Sequence, residues 1–422
     1  MPNKGNALLV PKLRFPEFQG AGEWKAIPLD RLATRCKQKN RNEEIDRVLI
    51  NSAEFGVLDQ RDFFDKDIAT QGKLEGYFVV ELGDYVYNPR ISASAPVGPI
   101  SKNNIGTGVM SPLYTVFQFK DSNNDFYQHY FKTTGWHPYM RQVSSTGARH
   151  DRMAISSEGF MAMPLPVSSP EEQQKIADCL SSLDELIAAQ ARKVDALKTH
   201  KKGLMQQLFP REGETQPRLR FPEFRDAGAW KVNELGSVSD VRDGTHDSPS
   251  FFPTGRPLVT SKNLWSDGTL DLENVSLISE EDYAQINKRS KVSIGDILFG
   301  MIGTIGNPVL VKSEGFAIKN VALIKEAGAL SNSFLVQLLQ SGYVAAIFAV
   351  LNTGNSQKFI ALGKIRGLPV PLPSLSEQQH IADCLTSIDD LITAAIQALE
   401  TLKTHKKGLM QQLFPSAEAV EA

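Results

Sequence analysis

The string KTHKKGLMQQLFP occurs twice, as Lys198 to Pro210 and unchanged as Lys403 to Pro415, 205 positions apart. Around it, Glu171 to Pro210 and Ser376 to Pro415 share 27 of 40 residues at that offset without a gap. A second pair, PKLRFPEFQGAGEWK (Pro11 to Lys25) and PRLRFPEFRDAGAWK (Pro217 to Lys231), shares 11 of 15. The chain is therefore a tandem duplication, each copy holding a lead-in segment, a long middle and a closing stretch. Residues 26 to 165 and 232 to 370, the two middles, are nearly equal in length but show almost no identity. Identical frames imply identical neighbours, whereas differing contents of one size imply one job done on different targets.

The closing stretches read as helices. Ile176, Leu180, Leu183, Ile187, Gln190, Val194, Leu197, Lys201, Leu204 and Leu208 step by four and three without a break. The second copy gives Ile381, Leu385, Ile388, Ile392, Ala395, Leu399, Leu402, Lys406, Leu409 and Leu413. Such a stripe suits the seam of a coiled coil, narrower and longer than a globular face needs; the alternative is that each helix packs on its own domain. Ser168, Ser169 and Pro170 ahead of Glu171 and Glu172, and Ser374 and Ser376 ahead of Glu377, are start signals, and Pro210 and Pro415 end the runs. At 1.5 Å per residue each helix is a rod of roughly 58 Å. If the two rods pair, parallel packing sets Lys201 beside Lys406 inside the seam; antiparallel packing puts them at opposite ends and is expected. Inter-helix packing is assigned to Ile176, Leu180, Leu183, Ile187, Leu197, Ile381, Leu385, Ile388, Ile392 and Leu402.

The middles read as mixed α/β with much strand. YFVVELGDYVYNPR (Tyr77 to Arg90) and KVSIGDILFGMIG (Lys291 to Gly303) share a strand, Gly-Asp turn, strand pattern; GVMSPLYTVFQF and GFAIKNVALI read as strands, DFYQHYFKT and SFLVQLLQSGYVAAIFAVL as helices. MPLPVSSP and LPVPLPSLS break the periodicity before each rod. The expected organisation is a first α/β domain with its lead-in over 1–166, a helix over 167–210, a second α/β domain over 211–371, a helix over 372–415 and a flexible tail over 416–422. The fold class is mixed α/β (α+β), in two copies joined by two long antiparallel coiled-coil helices about a pseudo-twofold axis.

Composition excludes several classes. At 422 residues, 41% hydrophobic and 22% charged, the chain can bury more than one core. Its three cysteines show no metal-ligand spacing, so neither zinc nor disulfides are implied. The apolar runs are too short to span a bilayer, and the start MPNKGNALLVPKLRF lacks the pattern of a secretion signal, so no membrane and a cytoplasmic location are expected. A net charge of −2 requires the basic groups of any nucleic-acid reader to be gathered locally.

EQQKIADCLSSLDELI and EQQHIADCLTSIDDLI, the paired LRFPEF strings, GDYVYNPR and DGTHDSPSFFPTGRPLVTSKNL together resemble the specificity subunit of type I restriction-modification systems, over nearly the whole chain. The resemblance implies two target recognition domains, each reading one half of a split sequence in double-stranded DNA, with the helices setting the spacing. It further implies docking of two modification subunits, which carry S-adenosylmethionine and methylate adenine, and of restriction (motor-nuclease) subunits in the full complex. No cofactor is expected on this chain.

Base readout needs Arg or Lys for guanine and Asn or Gln for adenine, offered from loops. The first middle offers Asn88, Arg90, Ser92 and Ser94, then Arg141, Arg149, His150 and Arg152. The second offers Arg242, Thr245 and His246; Lys262 and Asn263; Lys319 and Asn320; and Asn355, Ser356, Gln357 and Lys358. His129 and His137 read as packing or surface histidines. YNPRIS lacks the second proline and aromatic of an adenine-methylating strip, GMIGTIG does not match GxGxxG, and no P-loop is present, so a non-catalytic subunit is expected. A duplicated protein-interaction scaffold without DNA specificity is the alternative.

Overall fold

The computed structural model describes residues 9–63, 74–145, 151–211, 213–351 and 359–415. The chain divides into two compact units, Met1–Gln190 with Ala398–Ala422, and Ala191–Gln397. The long helices run over Pro170–Leu208 and Leu375–Leu413, so each unit takes the first part of one and the last part of the other. Sequence boundaries follow the repeat, whereas the compact units follow packing.

In the first unit, Lys25–Pro28 pairs antiparallel with Pro164–Val167. A four-stranded antiparallel sheet follows, in spatial order Ala33–Arg35, Thr115–Phe119, Tyr85–Tyr87, Ile100–Lys102. In the second unit, Lys231–Glu234 pairs antiparallel with Pro369–Leu372, and the sheet order is Val241–Asp243, Val321–Ile324, Ile297–Gly300, Gly306–Leu310. Numbered along the chain, both sheets run first, fourth, second, third. Middles with almost no identity thus share one topology, because what it requires is strand-forming runs separated by turns rather than particular side chains. Tyr85, Phe117, Phe119, Phe126, Tyr127 and Phe131 fill the first core, while the second is built mainly of Leu, Ile and Val.

The Gly-Asp turns start the second sheet strand in both units. Gly83 (φ +91°) and Gly295 (φ +90°) supply the left-handed residue, and Asp84 and Asp296 accept from the backbone N–H groups of Glu81 (2.8 Å) and Ser293 (2.7 Å). Only the first unit has a strand before that turn, Phe78–Val80; in the second, the chain arrives from the helix Glu280–Ser290, whose cap Ser279 accepts from Asp282 N. The run expected as one helix from Ser333 is two, Asn332–Leu339 and Gly342–Leu351. They part at Ser341, whose hydroxyl donates to Leu338 O at 2.6 Å.

The duplicated frame is explained by contacts made once in each unit. Arg14 grips Glu172 with two hydrogen bonds (2.7 and 2.6 Å) and donates to Ala21 O and Gly22 O; Arg220 does the same to Glu377 (2.8 and 2.6 Å), Ala227 O and Gly228 O. Both pairs are nearly inaccessible to water, where two-pronged geometry and saturated donors offset the desolvation of the charges. One residue earlier, Leu13 N donates to Gln412 O and Leu219 N to Gln207 O, both at 2.9 Å. Each lead-in is thus wedged between the start of one long helix and the end of the other.

Deeper in each unit, Lys201 Nζ meets both oxygens of Asp389 at 2.7 Å, and Lys406 pairs with Asp184. In the first unit Glu172 lies near Gln412 while Asp184 pairs with Lys406, so within that unit the two helical segments run in opposite directions. The lysines that interrupt the apolar stripe are matched by aspartates of the facing segment. Ile176 and Leu180 are buried with Leu413 and Phe414, and Ile381 and Leu385 with Met205, Leu208 and Phe209. Ile388 is buried; Leu183, Ile187, Leu197, Ile392 and Leu402, nearer the helix middles, are half-buried. No helix among the described residues is long and apolar enough to cross a membrane.

Candidate nucleic-acid interface

Sheet register brings the candidate stretches to one place. In the second unit Asp243 lies opposite Ala322, and Gly300 opposite Val321. In the first unit Arg35 lies opposite Phe117, and Tyr87 opposite Thr115. The first and second strands therefore finish at the sheet end where the fourth begins, and most of the described candidate residues issue from that end.

In the second unit the loop after the first strand meets the turn before the fourth. Thr245 N donates to Ile318 O (3.0 Å), Asn320 N to Thr245 O (3.1 Å) and Lys319 N to Val259 O (2.9 Å). Gly244 permits the crossing, since a Cβ there would stand 2.3 Å from Ile318 O. Thr245, His246, Lys319 and Asn320 thus converge. His246 bridges Asp243 Oδ2 (Nε2, 2.9 Å) and Asn320 Oδ1 (Nδ1, 2.7 Å), and Arg289 takes the other Asp243 oxygen. Bonding to Asn320 first, then to Asp243, raises the His246 pKa above its ordinary value. Lys319 Nζ reaches Ser248 Oγ at 2.5 Å, and Lys262 is exposed on the next turn. Arg242 is held by Asp240 and by Arg289 O.

Asn263 corrects an expectation. It is buried, its Oδ1 accepts from Thr260 N (2.9 Å) and its Nδ2 donates to Asn274 O (3.0 Å), so its amide is consumed in capping a short turn. Asn88 in the first unit corrects another: its Nδ2 donates to Asn51 O (2.9 Å) and its Oδ1 accepts from Arg90 N (3.1 Å). It shapes the loop that carries Arg90 rather than offering a free amide.

That loop is joined to a distant stretch. Ile91 N donates to Asp151 O (3.0 Å) and Met153 N to Pro89 O (2.9 Å), so exposed Arg90 and half-buried Arg152 are neighbours across a β-bridge. Ser92 is exposed with its hydroxyl on Ser94 (3.2 Å), and Arg141 is exposed on the helix His137–Val143. The second unit repeats the join: Ile360 N donates to Met301 O (2.9 Å), and Ile302 bridges Phe359. Arg149 and His150, just ahead of the first join, and Asn355, Ser356, Gln357 and Lys358, just ahead of the second, lie outside the described residues.

Two features escaped the loop-by-loop reading. Arg35, Lys37, Lys39 and Arg41 alternate where the first sheet strand of the first unit ends, a spacing that puts basic groups on one side of extended chain. Lys37 and Arg41 are exposed, while Lys39 donates to Gly76 O (2.7 Å) and lies 3.4 Å above the Phe78 ring. The second is a set of exposed large apolar side chains in the second unit, Phe251, Phe252, Trp265 and Phe359, three of them within a few residues of His246 or Lys262. Basic groups mixed with uncovered aromatics suit a nucleic-acid surface, where phosphates meet the cations and base methyls or faces meet the rings.

Residues 228–403 match the family described as the type I restriction modification DNA specificity domain. Two curated proteins of Methanocaldococcus jannaschii are similar in sequence. The type I restriction enzyme MjaVIII specificity subunit is 28% identical over 289 residues, 65% of this chain and 65% of that protein. The putative type I restriction enzyme MjaX specificity subunit is 26% identical over 269 residues, 63% and 61% of the two chains. The chain thus spans just under two-thirds of these relatives' length. Among solved structures, the S subunit of the type I restriction-modification system from M. genitalium has a TM-score of 0.58 at 14% identity, covering 97% of this chain and 100% of that one. A chain from a structure of type I R-M complex assembly and conformational transition has a TM-score of 0.55 at 15% identity, over 92% and 96%. At such identities the likeness is one of fold.

Proposed function

We propose that this chain is a specificity subunit of the type I restriction-modification kind and that it reads a bipartite DNA sequence, one half-site through each α/β unit, without catalysing a reaction itself. The observation that carries the reading is the repeated sheet end. Two middles that share almost no sequence fold to the same strand order, and in each most of the described candidate residues issue from the sheet end where the first and second strands finish and the fourth begins. Equal scaffolds with unlike reading groups suit a site whose halves differ in sequence, and half-site spacing in such readers is set by the geometry between modules. We assign that spacing to the two long helices.

The same reading accounts for the duplicated helix surface. Leu186 and Leu391 occupy one repeat position and stand 54% and 56% exposed. Identical uncovered patches suit two copies of one partner, here two adenine-modification subunits that hold the S-adenosylmethionine, with restriction subunits joining the full complex. Sequencing of methylated adenines in cells with this chain and its modification partner, against cells lacking this chain, tests the function. A split motif present only with the chain supports it. Binding of the purified complex to duplex DNA with neither sequence preference nor steep salt dependence would favour the scaffold reading.

A further inference from the structure

Asp243, His246 and Asn320 form a chain of hydrogen bonds at the reading end of the second unit, and its donor bookkeeping has only two solutions. The Asp243 carboxylate accepts from both neighbours, Arg289 on Oδ1 and the ring on Oδ2, so Nε2 of His246 carries a proton in either state. Nδ1 is then the variable atom. With its proton, the ring donates to the amide oxygen of Asn320, the arrangement in the structure at 2.7 Å. Without it, Nδ1 becomes an acceptor, and the amide must turn over to offer its NH2 group to the ring.

The Asn320 backbone cannot move to absorb this change. It sits at φ +54°, a conformation that costs a residue with a side chain, and is fixed by its N–H on Thr245 O (3.1 Å) and its carbonyl on Ser261 Oγ (3.3 Å). The side chain lines a cavity of about 360 Å³ with Thr260, Ser261, Lys262 and Ile302. Among the described residues the amide nitrogen makes no hydrogen bond.

We propose that His246 is a positioning residue that sets which end of the Asn320 amide faces DNA, and so which base edge the second unit accepts at one position. With the ring doubly protonated, the outward NH2 donates to an acceptor edge, such as N7 or O6 of guanine. With the ring neutral, the outward carbonyl accepts from the exocyclic amine of adenine or cytosine. This rests on the reading of the second unit as a DNA reader.

The charged groups around the ring are few. Asp243 comes from the first sheet strand and Arg289 from the helix Glu280–Ser290; Lys319 is turned to Ser248, and Asp247 follows His246 in the loop. Bonding to Asn320 and Asp243 raises the ring's pKa, so the doubly protonated form persists to higher pH than in a free histidine and gives way as pH climbs through the raised value.

The test uses the full chain in complex with its modification partner and the split motif found by methylated-adenine sequencing. Binding is measured at pH 6 and pH 9 against duplexes carrying each base at every position of the second unit's half-site. At one position the wild type should change its preference between acceptor-edge and amine-edge bases by roughly tenfold across that range, while the first unit's half-site stays constant as the control. His246→Gln, which cannot titrate, should hold one preference at both pH values, and Asn320→Ala should lose discrimination at that position alone. Wild-type preferences unchanged with pH, or a His246→Gln complex that shifts as the wild type does, would overturn the assignment with DNA reading left standing. Absence of any preference in the second half-site would remove the reading beneath it and the assignment together. Long-range ¹H–¹⁵N spectra of the histidine rings give an answer independent of DNA: Asn320→Ala must lower the titration point of His246, and no movement rejects the coupling.

Discussion

At the residue scale, two buried groups of the first unit make stability depend on pH in opposite directions. His129 is fully buried; its Nε2 meets Ser181 Oγ at 3.1 Å, while Asp184 stands 3.9 Å from Nδ1, too far for a hydrogen bond. Burial, reinforced by Lys406 and Lys132, pushes its pKa down to about 4. The unfolded chain therefore takes up a proton near pH 6.5 that the folded chain refuses until about pH 4, and stability is lost as pH falls through that window. Asp84 acts oppositely: burial lifts its pKa to about 6, so the folded chain binds a proton first and gains stability as pH falls from about 6 towards 3.8. Each effect is worth about 3 kcal/mol at full extent, with opposite sign. His129→Gln should remove the histidine's share of this loss, making the variant more stable relative to wild type at pH 4.5 than at pH 7 by about 2 kcal/mol, read from denaturant midpoints at the two pH values. Parallel profiles would refute the burial argument. The sequence left His129 as either a packing or a surface histidine; that it is buried beside a lysine-aspartate pair from the two helices was not legible, since neither Asp184 nor Lys406 is near it in the chain.

At the level of elements, the long helices were the most legible part of the molecule, because a seven-residue apolar rhythm has few other meanings. The expectation that Lys201 and Lys406 lie apart was drawn from their charge, but the aspartates that meet them came only from the fold. Leu183→Asp together with Ile388→Asp should abolish reading of both half-sites by opening the seam, with loss of cooperative unfolding as the independent readout. Leu186→Asp and Leu391→Asp make the contrasting case. Both positions are exposed, so stability should change by no more than about 0.5 kcal/mol. Each should instead weaken one modification subunit, giving a complex with one partner in place of two by native mass spectrometry. Two partners retained in the double variant would remove this patch from the docking surface. The divided helix Asn332–Leu339 and Gly342–Leu351 looks continuous in sequence because its apolar residues run through the break, and hydrophobicity alone does not mark a change of axis.

For the whole molecule, the duplication makes a modular prediction. Replacing residues 26 to 165 by the corresponding stretch of another family member should change one half of the methylated motif and leave the other half and the spacing intact. Change in both halves, seen in methylated-adenine sequencing, would sink the separation of readers. The repeat alone determined that this chain is two like scaffolds with unlike contents, because equal spacing and identical frames survive in the linear order of residues. It also determined which lead-in and helix ends must share surroundings, though not that Arg14 and Arg220 would be the residues to bind them. Only the tertiary structure decided which loops meet. Strand order and register carry Thr245 to Lys319 and Arg90 to Arg152 across more than 60 residues of chain in each case, and they withdraw Asn88 and Asn263 into the interior. A backbone hydrogen bond between distant strands depends on how the sheet closes, and that closure is written in packing rather than in local order.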